Sequence, residues 1–214
     1  MSRCAIVVPA YHEAAAIGTV VGELRASGQV IVVDDASGDG TAEAAEAAGA
    51  IVVRHEVNAG YGRAIESGFA RAVGDGFSHV VTADGDGQHD PEEVADFVKL
   101  LTEDGCQLVV GTRPGPYRLV ERLCAAYAHR ALGVLDPLCG LKGYDLALYT
   151  AYGGFDKRRS VGTELMTYAI RHGAHWTQRP VTVRARDHGE SRFYGDLRAN
   201  ARILRSLAAL VLVR

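Results

Sequence analysis

The chain has 214 residues, 48% of them hydrophobic and 23% charged, and a formal net charge of −3. That length buries a sizeable core in a single domain, and an acidic balance speaks against a nucleic-acid binder, which would carry a basic excess. No apolar run approaches the roughly 20 residues that a bilayer span needs. Met1-Ser-Arg3 leads into a strand rather than the apolar stretch of a secretion leader, so a cytoplasmic protein is expected, at most peripheral on the inner face of the cytoplasmic membrane. The four cysteines, Cys4, Cys106, Cys124 and Cys139, lack Cys-x-x-Cys spacing and are expected to be reduced and structural.

In chain order, strands are predicted at Cys4–Val8, Val30–Val33, Ile51–Arg54, His79–Ala83 and Leu108–Gly111. Between them fall helices at Ala14–Ala26, Thr41–Ala48, Tyr61–Val73 and Pro91–Thr102. Short Val/Ile runs alternating with amphipathic helices imply an α/β fold, a Rossmann-like and mostly parallel sheet sandwiched by helices. Asp90-Pro91-Glu92-Glu93 sets proline at the first helical position with acids at the positive end of the helix dipole. Beyond residue 113 the pattern changes. Helices are predicted at Arg118–Leu132 and Val161–His172, a turn and short strand within Pro137–Tyr144, and a strand at Trp176–Arg184. A polar loop, Ala185–Phe193, precedes a last helix at Asp196–Val213. The expected organisation is one domain over residues 1–195, with a nucleotide-type half to 113 and an acceptor-shaping half from 114, then an amphipathic helix over 196–214.

Chemistry concentrates where strands end. Val80-Val-Thr-Ala-Asp84-Gly-Asp86-Gly-Gln88-His-Asp90 runs an apolar strand into two carboxylates spaced by one glycine, with an amide oxygen two residues on. Carboxylates this close repel unless a cation or a protein donor compensates, and the usual cation is a hard divalent metal shared with substrate phosphates. Gly85 and Gly87 permit the sharp turn that lets Asp84, Asp86 and Gln88 converge. Two further strand ends are polar: Pro9-Ala-Tyr11-His-Glu13 and Asp34-Asp35-Ala-Ser37-Gly-Asp39-Gly. In a parallel α/β sheet, ligands bind beyond such ends. Tyr11 offers a ring face for a base, Asp35 can accept the ring N–H of uracil or guanine, and Asp34 or Glu13 can meet ribose hydroxyls.

Taken together, Val8-Pro9-Ala-Tyr11-His-Glu13, Val33-Asp34-Asp35-Ala-Ser37-Gly-Asp39-Gly-Thr41, Asn58-Ala-Gly60-Tyr-Gly62 and Asp84-Gly-Asp86-Gly-Gln88-His resemble the family-two inverting glycosyltransferases of the GT-A fold. Within that family they are similar to the dolichyl-phosphate mannose synthase and polyprenyl-phosphate glycosyltransferase subgroup. Gly111-Thr-Arg113, Cys139-Gly-Leu-Lys-Gly-Tyr144-Asp and Arg186-Asp-His-Gly189-Glu-Ser191-Arg192 extend the match, the last with arginine where the subgroup has lysine. The resemblance implies a nucleoside pocket lined by Pro9, Tyr11, Glu13 and Asp35, with Asp84 and Gly85 against the nucleotide sugar. It implies Mg²⁺ or Mn²⁺ on Asp84, Asp86 and Gln88, and a cationic cradle of Arg113, Arg186 and Arg192 for the diphosphate. The departing nucleoside diphosphate gains negative charge, and an ion with guanidinium groups stabilises that charge most in the transition state.

An inverting transfer to a hydroxyl needs a general base. Glu164 resembles the acidic position that the family keeps on an acceptor-side helix, although the helix dipole alone favours a glutamate there. A phosphate acceptor needs no base and leaves Glu164 a positioning role. The last helix carries Leu197, Ala201, Leu204, Ala208 and Val211 on one face and Arg198, Arg202 and Arg205 on another. Such a helix either lies in a membrane interface or packs on the chain's own core or a second subunit in a homodimer. The expected partners are a nucleotide-sugar donor and an acceptor, a polyprenyl phosphate first and a glycan or other hydroxyl compound second. A nucleotide-sugar binding subunit without its own turnover is the non-enzyme alternative. An EF-hand fails because His89 and Ala95 stand where glycine and glutamate are required. A dinucleotide fold is argued against by Ile65 in place of a third glycine, and a nucleotidyltransferase by the absence of a glycine-rich basic loop after the first strand.

Overall fold

The computed structural model describes residues 3–115, 118–158, 160, 162–184 and 197–213, and of 197–202 the backbone alone. Strand β1 (Cys4–Ala10) is followed by α1 (Ala14–Leu24), β2 (Gln29–Asp34), α2 (Thr41–Ala47), β3 (Ile51–Arg54), α3 (Tyr61–Gly74), β4 (His79–Thr82), α4 (Pro91–Thr102) and β5 (Leu108–Thr112). Then come α5 (Leu119–Leu132), β6 (Lys142–Asp145), α6 (Leu146–Tyr152), α7 (Thr163–Arg171), β7 (Trp176–Pro180) and α8 (Leu197–Leu212). The strands form one sheet in the order β3-β2-β1-β4-β6-β5-β7. All neighbouring pairs are parallel except those of β6, which runs antiparallel to both β4 and β5.

The alternation of strand side chains sorts the core into two layers. Ile6 and Val8 of β1 pack with Ile17, Val20, Val21 and Leu24 of α1 and Val94, Phe97 and Leu101 of α4. Ala5 and Val7 pack on the other face with Ile65 and Phe69 of α3 and Leu165 and Met166 of α7. Burial of each such aliphatic side chain stabilises the fold by about 1.5–3 kcal/mol. Helix α3 approaches β1 so closely that a Cβ on Gly68 would lie 2.3 Å from Cγ1 of Val7. All four cysteines are buried and unpaired, and burial pushes the thiols of Cys4 and Cys139 up to about 12.

Chain order reverses beside β1: β2 and β3 lie to one side and β4 to the other. That switch point opens a crevice at the carboxyl ends of β1 and β4. Because β6 is antiparallel, its entry segment, residues 139–141, arrives at the same edge.

Several expectations need correction. Helix α6 lies where no element was predicted, started by Asp145, which accepts from the Ala147 N–H at 2.8 Å, and stopped by Gly153 in the left-handed region. Strand β7 ends at Pro180, not Arg184, because its partner β5 ends at Thr112. Beyond that point the chain crosses to the Asp84 loop, where the Arg184 N–H donates to the Gln88 carbonyl at 2.9 Å. The final helix packs on α5 and α7 through Ile203, Ser206, Ala209, Leu210 and Val213. Arg171 of α7 donates to the carbonyls of Leu210 and Val213, closing its last turn. Of the apolar face read from the sequence, Leu204, Ala208 and Val211 are exposed, so own-core packing is the one of its expected uses that the structure does not bear out.

Candidate active site

The first two loops brace each other across the crevice. His12, with φ of 54°, donates its backbone N–H to Ser37 Oγ at 2.9 Å. Glu13 N–H reaches Thr41 Oγ1 at 2.9 Å, and Ala14 N–H reaches Asp39 Oδ2 at 3.3 Å. Asp34 is buried and accepts from Ser37 N–H at 3.2 Å, closing the turn after β2. Ala36 adopts φ of 66°, a left-handed conformation that costs a non-glycine residue about 1–2 kcal/mol. Pro9 and Tyr11 are half-buried at this rim. Gly85 sits against the Pro9 carbonyl, where a Cβ would meet it at 3.1 Å.

Asp35 accepts three hydrogen bonds within the crevice. Its Oδ1 accepts from Ala59 N–H at 2.8 Å and from His55 Nδ1 at 2.7 Å, and its Oδ2 accepts from Gly60 N–H at 2.7 Å. Gly60 holds φ 89° and ψ 163°, a backbone region essentially reserved for glycine. The Asn58-Ala-Gly60-Tyr-Gly62 segment is therefore shaped to present two amides to one carboxylate.

Asp84 and Asp86 stand beyond β4. Oδ2 of Asp84 meets His89 Nε2 at 3.2 Å, and Oδ1 of Asp86 accepts from Gln88 N–H at 3.1 Å. Burial disfavours charge on His89, but the bond to Asp84 and the nearby Asp86 and Glu93 outweigh it and raise the imidazole above its usual value. Gln88 ties this loop to the segment after β7, its Nε2 donating to the Arg184 carbonyl at 3.1 Å. Gly140, on the entry to β6, lies so near that a Cβ there would be 2.7 Å from Asp84 Oδ2. Two residues on, Lys142 is buried with its Nζ on the Cys139 carbonyl, and burial pulls its ammonium below the usual lysine value. Tyr61 stands at the start of α3; burial first, then the charges of Asp84 and Asp86, keep its phenol protonated.

Divalent-metal chemistry fits this donor set. Among the described residues, no group of three His, Cys, Asp or Glu could hold an ion alone. Two carboxylates with a histidine bonded to the outer oxygen of one are the partial shell that Mg²⁺ or Mn²⁺ takes with phosphate oxygens and water.

Two of the predicted residues are already engaged by protein groups. Arg113 is committed to Asp136 through Nε at 2.7 Å and Nη2 at 3.0 Å, which occupies two of the five guanidinium N–H donors. Burial works against its charge, yet Asp136 outweighs it and holds the guanidinium above the usual arginine range. Glu164 is fully buried: its Oε2 accepts from Tyr152 Oη and Lys157 N–H, both at 2.9 Å, and its Oε1 from Arg158 N–H at 2.7 Å. Arg186 and Arg192 lie outside the described residues. Sequence reasoning gave no role to His55, Tyr61, His89, Asp136 or Lys142. Lys142 lay inside a quoted segment, but only the antiparallel pairing of β6 with β4 brings it behind Asp84.

An α/β sheet whose switch point carries an Asp-Gly-Asp loop has the layout of the GT-A glycosyltransferases. The comparisons agree. Residues 5–123 match Glycosyl transferase family 2, and the chain belongs to that family. Polyprenol monophosphomannose synthase of Mycolicibacterium smegmatis is 29% identical over 91% of this chain and 82% of its own length. Undecaprenyl-phosphate mannosyltransferase of Micrococcus luteus is 26% identical over 91% and 89%. Glucosyl-3-phosphoglycerate synthase of Mycobacterium tuberculosis, solved with Mn²⁺, uridine diphosphate and glucosyl-3-phosphoglycerate, superposes with a TM-score of 0.74 at 25% identity, covering 98% of this chain and 79% of that one. The same enzyme has been solved with Mg²⁺ and uridine diphosphate. The chain is thus a family 2 glycosyltransferase, an enzyme that draws on a nucleotide sugar.

Proposed function

We propose that this enzyme is a metal-dependent inverting glycosyltransferase that passes a sugar from a nucleoside diphosphate to a polyprenyl phosphate. The observation that carries the donor half of this reading is the Asp84–Asp86 pair at the switch point, backed by His89 and facing the braced loops of β1 and β2. Asp84 and Asp86 would hold the Mg²⁺ or Mn²⁺, with Gln88 as a further ligand. Bound there, the ion would neutralise charge gathering on the departing diphosphate. Asp35 would receive the base, Tyr11 would stack on it, and Pro9, Glu13 and Gly85 would border the nucleoside. Arg113 keeps N–H donors beyond the two on Asp136 and would meet phosphate with them, joined by Arg186 and Arg192.

Exposed apolar side chains support the lipid acceptor. Leu119, Leu123 and Tyr127 are exposed at four-residue spacing on α5, and Leu204 and Val211 are exposed on α8, the helix packed against it. Arg122 and Arg205 flank them. Apolar side chains bordered by arginine suit an anionic lipid surface and a prenyl chain. No helix among the described residues is long and apolar enough to cross a membrane. Glu164 points the same way. Both its oxygens are engaged with the 152–158 segment, which suits a positioning role and an acceptor that needs no base.

Incubation with labelled UDP- and GDP-sugars, Mn²⁺ and either a short-chain polyprenyl phosphate or hydroxyl acceptors tests the reading. Labelled prenyl phosphate is the expected product. Transfer to hydroxyl acceptors alone would overturn the acceptor assignment, and no turnover with any pair would favour the binding-subunit alternative.

A further inference from the structure

Asp35, His55 and Ser67 form a bonded row that the chemistry above leaves without a purpose. His55 Nδ1 lies 2.7 Å from Asp35 Oδ1, and His55 Nε2 lies 2.9 Å from Ser67 Oγ. The row joins three elements: the end of β2, the residue after β3, and the second turn of α3. Its side chains are largely removed from solvent, Asp35 at 6% exposure and His55 at 15%. Bonding of this kind occurs in hydrolases, but Ser67 lies inside α3, where backbone N–H groups are spent on the helix and cannot cradle an oxyanion. The row must act through Asp35.

Counting acceptor positions shows how. An ionised carboxylate accepts only, with about four lone-pair positions on two oxygens. His55 Nδ1 therefore donates to Asp35, while Nε2 pairs with the Ser67 hydroxyl. Oδ1 of Asp35 is filled by Ala59 N–H and His55, and Oδ2 holds Gly60 N–H. One position remains, on Oδ2. Without His55 there would be two, one on each oxygen, which is the arrangement that grips a pair of neighbouring N–H groups.

We infer that His55, held by Ser67, is a specificity-determining residue that narrows Asp35 to a single acceptor and thereby selects uridine over guanosine donors. This rests on the reading of Asp35 as the base contact. Uracil offers one ring N–H between two carbonyls, which one acceptor position satisfies. Guanine presents its ring N–H and exocyclic amine side by side, and the second donor would be buried without a partner. A site that strands a buried donor discriminates strongly against the ligand that brings it.

Dissociation constants for UDP and GDP, measured calorimetrically with Mn²⁺ on the full chain, test this in the wild type, His55→Ala and Ser67→Ala. The wild type is expected to bind UDP at least about tenfold tighter than GDP. His55→Ala should shrink that ratio to about threefold or less, and Ser67→Ala should shrink it by a smaller factor while leaving the fold intact. A purely structural role for the row would weaken both nucleotides alike and leave the ratio unchanged, which would overturn the inference, as would a wild type that binds GDP as well as UDP. A wild type that binds neither nucleotide would instead bring down the reading of the crevice as a donor site.

Discussion

In residues 1–113, which we read as the donor half, polar residues of one loop are bonded to the next loop in the sheet. Ser37, Asp39 and Thr41 hold the loop after β1 within 3.3 Å contacts, and Asp35 gathers the amides of residues 59 and 60. The part beyond residue 113, which we read as the acceptor half, is held by carboxylates on helices, one distant in sequence and one near. Glu66 of α3 accepts from Tyr149 Oη and Phe155 N–H, both at 2.6 Å, and Glu164 of α7 secures residues 152, 157 and 158. The first arrangement makes a rigid receptor for a ligand with fixed polar edges. The second suspends one connecting segment, residues 153–158, from the half-buried Glu66 and the fully buried Glu164, so that its shape depends on them. On the reading proposed above, donor recognition would be built into the loops themselves, whereas acceptor recognition would be imposed from the helices behind.

Substitutions can break or sharpen this contrast. Asp86→Ala is expected to lower transfer by about 10³-fold with little change in melting temperature, since the residue serves charge compensation and not the core; activity assays beside thermal melts check both. Glu164→Ala should cost about 3 kcal/mol in urea unfolding, because it leaves three buried or half-buried donors unpaired. The matching Glu164→Gln keeps two acceptor lone pairs and should lower kcat by less than about tenfold. A loss of 10²-fold or more in that variant would mark a general base instead. Gly68→Ala, which drives a Cβ into Val7, should destabilise by about 2 kcal/mol and identify the α3–β1 contact as the rigid floor of the donor half. Smallest of all, Ala36→Gly relieves a left-handed alanine and should raise stability by about 0.5 kcal/mol, the gain being offset by glycine's freedom in the unfolded chain.

The same contrast explains what was legible in the sequence. Strand β3 and helix α4 were read to the residue, because a Val/Ile run and an Asp-Pro-Glu-Glu start are local signals. The crevice acids could be found for the same reason: Glu13, Asp35, Asp84 and Asp86 each follow the end of an apolar strand within four residues. Helix α6 escaped because its seven residues carry too little periodicity, and its cap is a single aspartate at the end of β6. Lys142, His55 and Asp136 escaped because nothing beside them in sequence announces a partner 20 to 60 residues away. The outer face of α8 shows a different limit. Both faces of that helix are apolar, and composition could not say which one packs inward.

Nucleotide binding measured by calorimetry in Mn²⁺ and again in EDTA, for the wild type and Asp86→Ala, tests the central assignment most directly. Two carboxylates that complete their ion's shell with diphosphate oxygens predict at least a tenfold loss of affinity on chelation in the wild type and almost none in the variant. Equal affinity with and without the metal in the wild type would contradict the account.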